Sequence, residues 1–488
     1  MMLAESTSRE DSLAPRVTIV GGGLAGLAAA SVLATREVKV TILEARPYLG
    51  GRASSFRDPT NDALLDNCQH VSMGCCTNLA DFCERVGIAD LLKDEETLYF
   101  QDERGRLSTM RSAPLPAPFH LLPSFLRLRH LSLGEKARIA RGLHALFRTP
   151  TVGSDVSFRD WLMANGQTAR TCDRYWGVIL VSALNESLDR IDFRYARQVF
   201  VEGFAMNPRA SVVKVPSVTL HEFYGERLER WLADHGVTVR LNSAVKLLSS
   251  NEGTIGDCRL RSGEVVTADH YILAIPGQRV LSLLPVEFAE HEDALARIGQ
   301  MEYSPITSVH CWFDRPVMDL PHLVVIGRKI QWLFKRTAET SATAATDEGC
   351  YLQAVVSASR ELVSLGKDAI QAAILEEIVE MFPEARDARL EHCRVVTERT
   401  ATFSVTPGID RLRPTQRTAI GNLWLAGDYT DTDWPATMEG AVRSGYLAAN
   451  ALLKSLGRAP QSLAEPLPAS WFARKLIKSA ALGNGSSS

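Results

Sequence analysis

Hydrophobic and polar positions fall into blocks whose period changes along the chain. Val17–Val20 is a continuous apolar run, the pattern of a strand buried on both faces, and it ends in glycines. Residues from Leu24 are apolar and alanine-rich, which predicts a buried helix, and Val38–Leu43 predicts a second strand ending on Glu44. A proline-rich loop (Pro114, Pro116, Pro118, Pro123) precedes helical periodicity up to about residue 200. Strands return at 237–241, 265–267 and 270–276. Alternating segments at 307–313, 331–335, 351–358 and 394–399 predict an antiparallel sheet, with a helix over 367–382 between two of its strands. A last buried strand, 422–428, ends in Gly-Asp before a helix starting near Thr437. No internal repeat is visible. The strand-rich blocks at the start, middle and end predict one discontinuous α/β domain, interrupted twice by a second, α+β domain. The boundaries expected are 16–110, 206–295 and 413–460 for the first domain, 111–205 (helical) and 296–412 (sheet) for the insertions, and 461–488 for a tail.

The first block carries Gly21-x-Gly23-x-x-Gly26 between its strand and its helix. Each glycine has a task in dinucleotide binding. Gly21 makes the tight turn, Gly23 lets a pyrophosphate approach the backbone, and Gly26 lets helix and strand pack closely. The helix N-terminus at Leu24 and Ala25 offers unpaired N–H groups to phosphate. Glu44, 18 residues after Gly26, is placed to accept hydrogen bonds from a ribose diol, with Ala45 beside it. A membrane span is the competing reading, because residues 17–35 carry no charge. Four glycines within six residues disfavour a continuous helix there.

Composition narrows the class. The 488 residues are 45% hydrophobic and 23% charged, which suits an ordinary folded protein of two or three domains. A net charge of -3 argues against a general nucleic-acid binder. Nine cysteines without a Cys-x-x-Cys pair or zinc spacing read as reduced thiols in a cytosolic setting, and no metal site is expected. Met1–Arg16 lacks an apolar signal core, so a cytoplasmic protein, soluble or peripheral on the inner membrane, is expected; residues 483–488 read as a disordered end.

Two further pieces favour FAD over NAD. Gly50-Gly51-Arg52 lets the backbone pass close to the cofactor and supplies a bidentate arginine for pyrophosphate. Gly427-Asp428 offers a carboxylate for ribityl or pyrophosphate-side hydroxyls. The helix after Thr437 offers its N-terminus to the charge of a reduced flavin. Met438 and Ala441 join the expected binding set through packing, Val245 completes it from the middle block, and Glu439 reads equally well as a first-turn acid.

Together, Gly21-x-Gly23-x-x-Gly26, Glu44, Gly50-Gly51-Arg52 and Leu425-Ala426-Gly427-Asp428 resemble the FAD-dependent amine oxidase and phytoene desaturase superfamily over nearly the whole chain. Longer strings are similar to the squalene-associated FAD-dependent desaturases, which are hydroxysqualene dehydroxylases: Asp66–Val71, Gly74–Asn78, Leu115–Pro118 and Trp434–Gly445. The resemblance implies an amine oxidase-like fold and reduction of hydroxysqualene, a C30 isoprenoid, to squalene by reduced FAD. It places Asp66, Cys68 and His70 where the chain passes the flavin ring, so these are the candidates for protonating the leaving hydroxyl. Trp176, Phe200, Phe204, Trp312, Trp332 and Phe334 are candidates to enclose the chain. The alternatives are an oxidative carotenoid-type desaturase, an amine oxidase, or a non-enzymatic isoprenoid carrier. No second nucleotide motif appears, which leaves a diffusing reductant or partner protein as electron donor. The segment 119–130, the basic helix expected over 136–148 and Trp471–Lys478 suggest peripheral membrane contact.

Overall fold

The computed structural model describes residues 14–150, 155–291, 293–336 and 350–478; the expected disordered end, 483–488, lies outside them. Its first layer is a five-stranded sheet ordered Thr238–Arg240, Lys39–Leu43, Arg16–Val20, His270–Leu273, Leu423–Leu425, with every neighbouring pair parallel. The expected start, middle and end pieces therefore meet in one sheet. Residues 17–35 form a strand, a turn and the helix Leu24–Leu33, not a membrane span. All ten residues of that helix are buried, because it lies between the sheet and the helix Met438–Ser455. A side chain at Gly445 would put its Cβ 2.2 Å from the Ala25 carbonyl oxygen, so the two helices cross at glycine contact.

The second layer is a seven-stranded sheet ordered Leu390–Phe403, Tyr303–Phe313, Cys350–Ser357, Trp332–Arg336, His322–Val325, Thr97–Gln101, Leu107–Arg111. All pairs are antiparallel except His322–Val325 with Thr97–Gln101. The hairpin 97–111 thus crosses the boundary expected at residue 110: its strands pair with the inserted sheet. Val309, Cys311, Phe313, Leu352 and Ala354 face the helix Lys367–Met381 and pack on Ile370, Ile374 and Ile378. On the opposite face His310 Nδ1 lies 2.6 Å from the Tyr351 hydroxyl, and Tyr351 stacks on Trp312 with centroids 4.5 Å apart.

The helical insertion packs around Phe158, Trp161, Trp176, Phe193 and Phe200. Two of its stretches, Cys172–Trp176 and Val201–Ala205, are π-helical, and Trp176 in the first sets its edge against Phe200, the residue before the second. Asn185 and Glu186 fasten this part to the second sheet. Asn185, at φ 52°, donates to the Ser304 carbonyl and the Thr402 hydroxyl and accepts from the Ala358 N–H. Glu186, whose carboxylate is fully buried, takes a two-pronged bond from Arg360 at 2.6 and 2.7 Å.

Two histidines in this region make stability depend on pH. His120 is fully enclosed, neither ring nitrogen has a hydrogen-bond partner among the described residues, and burial holds its pKa down to about 4. Burial does the same to His130, also to about 4. Both take up a proton near 6.5 once unfolded. The unfolded chain therefore binds protons the native state refuses. Stability falls as pH drops from about 6.5 toward 4 and levels off below, by about 3 kcal/mol per histidine at most. His120→Leu is expected to make the decline in urea midpoint over that window shallower, the remainder coming from His130 and from the other histidines whose pKa burial lowers, His70, His270 and His322; an unaltered slope would show that His120 is not a source of it.

Candidate functional site

The phosphate turn is held together by backbone. The Gly21 N–H donates to the Leu43 carbonyl at 2.8 Å and the Gly50 N–H to the Gly22 carbonyl at 2.9 Å, so the turn and the Gly50-Gly51 loop lock together. Glu44 is buried, and its two oxygens accept from the Gly22 and Arg46 N–H groups at 2.7 and 2.8 Å. Gly21 is in the left-handed region at φ 111°, and a Cβ at Gly26 would sit 2.0 Å from the Gly21 carbonyl oxygen. These two glycines are demanded by the protein itself. Gly23 differs: a Cβ there would meet only the Gly51 Cα, at 3.7 Å. The room above Gly23 is thus free for a ligand, next to a helix N-terminus with neither a side-chain cap nor an acid in its first turn. Loop 241–245 returns against the second strand, with the Ser243 N–H on the Glu44 carbonyl at 2.8 Å, which carries the half-buried Val245 toward Glu44 and the exposed Ala45.

At the far end Arg52 Nη2 lies 2.6 Å from Asp428 Oδ1, so two expected cofactor ligands from opposite ends of the chain meet as an ion pair. The Gly427 N–H donates to Ser444 Oγ at 2.8 Å. Arg413 holds the following loop by bonds to the Asp428 and Thr430 carbonyls and to the Tyr195 hydroxyl. Arg413 belongs to no motif, and Ser444, although inside the string Trp434–Gly445, has no role assigned there; the partners of both come from other segments of the chain. The Tyr429 hydroxyl and Asn67 Oδ1 are buried without a hydrogen-bond partner among the described residues. Unsatisfied polar atoms beside a carboxylate and a guanidinium suit a ligand rich in hydroxyls and phosphates. The donor set fits FAD.

Met438 and Ala441 open the helix Met438–Ser455, whose N-cap Thr437 accepts from the Gly440 N–H, and both pack on the first layer's core. Glu439 bonds to Asn78 and Leu79: its oxygens accept from both backbone N–H groups and from Asn78 Nδ2 at 2.8–3.2 Å. It is a stitch between two helix N-termini.

Asp66, Cys68 and His70 lie close to Arg52, since Asn67 Nδ2 donates to the Arg52 carbonyl. Asp66 is a structural acceptor, taking the Ser55 hydroxyl at 2.7 Å and the Leu220 N–H at 2.9 Å. His70 Nδ1 lies 3.0 Å from the Cys68 carbonyl. A carbonyl only accepts, so the neutral ring carries its proton on Nδ1 and leaves a lone pair on Nε2. Burial lowers the His70 pKa, with the Arg52 charge adding and the Cys68 carbonyl and Asp66 opposing. His70 is therefore neutral at pH 7, equipped at Nε2 to accept a proton and not to give one. Of the six aromatic residues expected to enclose substrate, Trp176, Phe200, Trp312 and Phe334 are core, while Phe204 and Trp332 keep part of their surface open.

Comparison with known proteins agrees with this geometry. Residues 24–453 match the family model described as flavin containing amine oxidoreductase. A zeta-carotene desaturase of Zea mays is 26% identical over 88% of this chain and 82% of its own length. A 15-cis-phytoene desaturase of an Oncidium hybrid cultivar is 29% identical over 92% and 80%. Among solved structures, an oxidoreductase from Methanosarcina mazei superposes with a TM-score of 0.69 at 16% identity, covering 90% of this chain and all of that one. A putrescine oxidase bound to putrescine gives 0.66 at 17%, covering 91% and 99%. The fold is amine oxidase-like and the cofactor is FAD. With the family model spanning most of its length, the chain belongs to the flavin containing amine oxidoreductases.

Proposed function

We propose that this flavin oxidoreductase acts on a long isoprenoid chain, and that carotenoid-type desaturation describes it better than the reduction of hydroxysqualene expected at first. The observation that carries the reading is similarity, over most of both chains, to desaturases of zeta-carotene and phytoene. The site agrees on one chemical point. Expelling a hydroxyl needs a proton donor, and two of the three candidates are poorly set to be one: Asp66 Oδ1 already accepts from Ser55 and Leu220, and His70 has its sole N–H on a carbonyl, which leaves the Cys68 thiol. Taking hydrogen from a hydrocarbon needs no acid, and a neutral imidazole can accept the proton released. FAD supplies the two-electron exchange. The protein's own groups grip its phosphates at the Gly23 turn, hold its hydroxyls near Glu44 and Asp428, and exclude water with the helical insertion.

Hydroxysqualene reduction stands as the second reading, favoured by a specific observation. Two of the four strings that carry that resemblance meet, since Glu439 of Trp434–Gly445 bonds to Asn78 of Gly74–Asn78. The two readings run in opposite redox directions, so one anaerobic titration separates them. Oxidised holoenzyme mixed with phytoene or zeta-carotene is expected to lose its visible flavin absorbance as a new double bond forms. If that absorbance holds, and photoreduced enzyme instead regains it on addition of hydroxysqualene with squalene appearing, desaturation is wrong.

A further inference from the structure

The residues 115–133 and 471–478, more than three hundred positions apart, build one surface. Phe119 meets Phe472 edge to face with centroids 5.8 Å apart, Trp471 packs on Phe472 at 4.8 Å, and Ser470 Oγ bonds to the Ala117 carbonyl. The helix Trp471–Leu476 is held from beneath, where Ala473 and Ile477 pack on Val201 and Ala205. Its outer side shows Trp471 at 55% and Phe472 at 41% exposure. The short helix Leu122–Arg127 buries Phe125 and turns Leu122 and Leu126 outward, one helical turn apart. Lys136 Nζ donates to the Leu126 carbonyl at 2.8 Å and brings the start of the next helix alongside, with Leu133 at 81% exposure. Large apolar side chains this exposed, gathered from two segments, are unusual on a surface that meets only water.

Charge says what the surface meets. Residues 111–148 and 471–478 together hold ten Lys or Arg (Arg111, Arg127, Arg129, Lys136, Arg138, Arg141, Arg148, Arg474, Lys475, Lys478) against one acid, on a chain whose net charge is -3. That acid, Glu135, is bound to Arg170 and caps its own helix. Lys475 Nζ sits 4.0 Å from the centre of the Trp471 ring, a cation beside an aromatic residue of the kind found at lipid headgroup level. No helix among the described residues is long and apolar enough to cross a membrane.

We propose that this composite face docks on the surface of an anionic lipid bilayer, with Phe119, Leu122, Leu126, Trp471 and Phe472 entering the headgroup–acyl boundary and the basic side chains around them pairing with lipid phosphates. A second copy of the chain is a poor occupant, because two such basic faces would repel each other. The inference does not depend on the direction of the redox reaction, since docking is read without substrate. The holoprotein is floated with phosphatidylcholine vesicles with and without phosphatidylglycerol, at low and high salt. Wild type is expected to float with the anionic vesicles and to be released by salt. Joint Trp471→Ser and Phe472→Ser replacement is expected to weaken binding at least about tenfold. Arg474→Glu with Lys475→Glu is expected to weaken it about fivefold for each cation removed. Flavin content and circular dichroism should stay at wild-type values, since these side chains lie outside the core. Absence of wild-type binding to anionic vesicles, full binding by the serine variant, or a dimer in light scattering that the serine variant dissolves would overturn the proposal.

Discussion

Gly23→Ala is expected to yield a folded, colourless protein, and Gly26→Ala no folded protein at all. The two positions sit three residues apart in one motif, where the sequence expects Gly23 to admit the pyrophosphate and Gly26 to let helix and strand pack. The structure separates them by what a methyl group would strike. At Gly26 it would lie 2.0 Å from the Gly21 carbonyl oxygen and 3.2 Å from the Ala274 Cβ, so the helix would have to leave the strand it packs on. Relief would require moving the central sheet, at a cost above about 4 kcal/mol. At Gly23 the nearest protein atom is 3.7 Å away and the backbone is in the extended region at φ -81°, which alanine adopts freely. The clash there is with the pyrophosphate alone. FAD affinity is expected to fall about a hundredfold, or about 2.8 kcal/mol, while the thermal midpoint of the flavin-free protein stays within a few degrees of flavin-free wild type. A Gly23→Ala protein that keeps its colour would place the phosphates elsewhere.

The second large effect is expected at Arg360, far from the motif glycines. Its guanidinium neutralises Glu186, whose carboxylate has no exposed surface, and also donates to Ser404 Oγ at 2.8 Å. Arg360→Met removes both guanidinium bonds and leaves Glu186, as its cation, only the longer contact to Arg190, whose Nε lies 3.4 Å from Oε2. The loss should be about 2 kcal/mol, below the range for a fully broken buried pair, because about a third of the Arg360 side chain stays in water and Arg190 still faces Glu186. Burial raises the Glu186 pKa, but the bonds from Arg360 and the Ser187 N–H bring it below its ordinary 4.5. The pair's contribution is therefore complete above about pH 4.5 and fades as pH falls through the lower native value. Adding Glu186→Gln should recover part of the loss, since the under-compensated buried charge is then gone. Urea unfolding of both variants checks this, and a single-variant loss below about 1 kcal/mol would mean that Arg190 alone suffices to hold Glu186.

What could be read from sequence follows from the range of the forces involved. The Gly21–Glu44 unit was legible because its constraints are local: a tight turn, a helix start and a strand end within 24 residues. The discontinuous domain was legible because buried parallel strands are apolar on both faces wherever they occur. The hairpin 97–111 was not, because alternation shows that a segment is a strand without saying which sheet accepts it. Asp66 and Glu439 show the same limit at the site. Asp66 reads as a candidate acid and Glu439 as a first-turn acid, yet each accepts a backbone N–H from far along the chain, Leu220 for Asp66 and Leu79 for Glu439. Likewise the enclosing aromatic residues could be named but not sorted. Trp176 and Phe200 turn into their own helical core, and only the packed fold shows that Phe204 and Trp332 keep surface to offer.

Position in the sheet also explains how the cofactor grip is assembled. Gly21–Gly26 and Glu44 sit at the ends of the two adjoining strands nearest the chain start, and Asp428 follows the strand at the sheet's far edge. Arg52 spans the remaining distance to reach Asp428. The account thus rests on three distant stretches of chain gripping a single FAD. Flavin released from the purified protein by denaturation tests this most directly, measured by absorbance and chromatography against protein concentration. The account predicts FAD, not FMN, at about one per chain once added FAD has filled the site. Protein that stays colourless after incubation with FAD, and releases none, would contradict it.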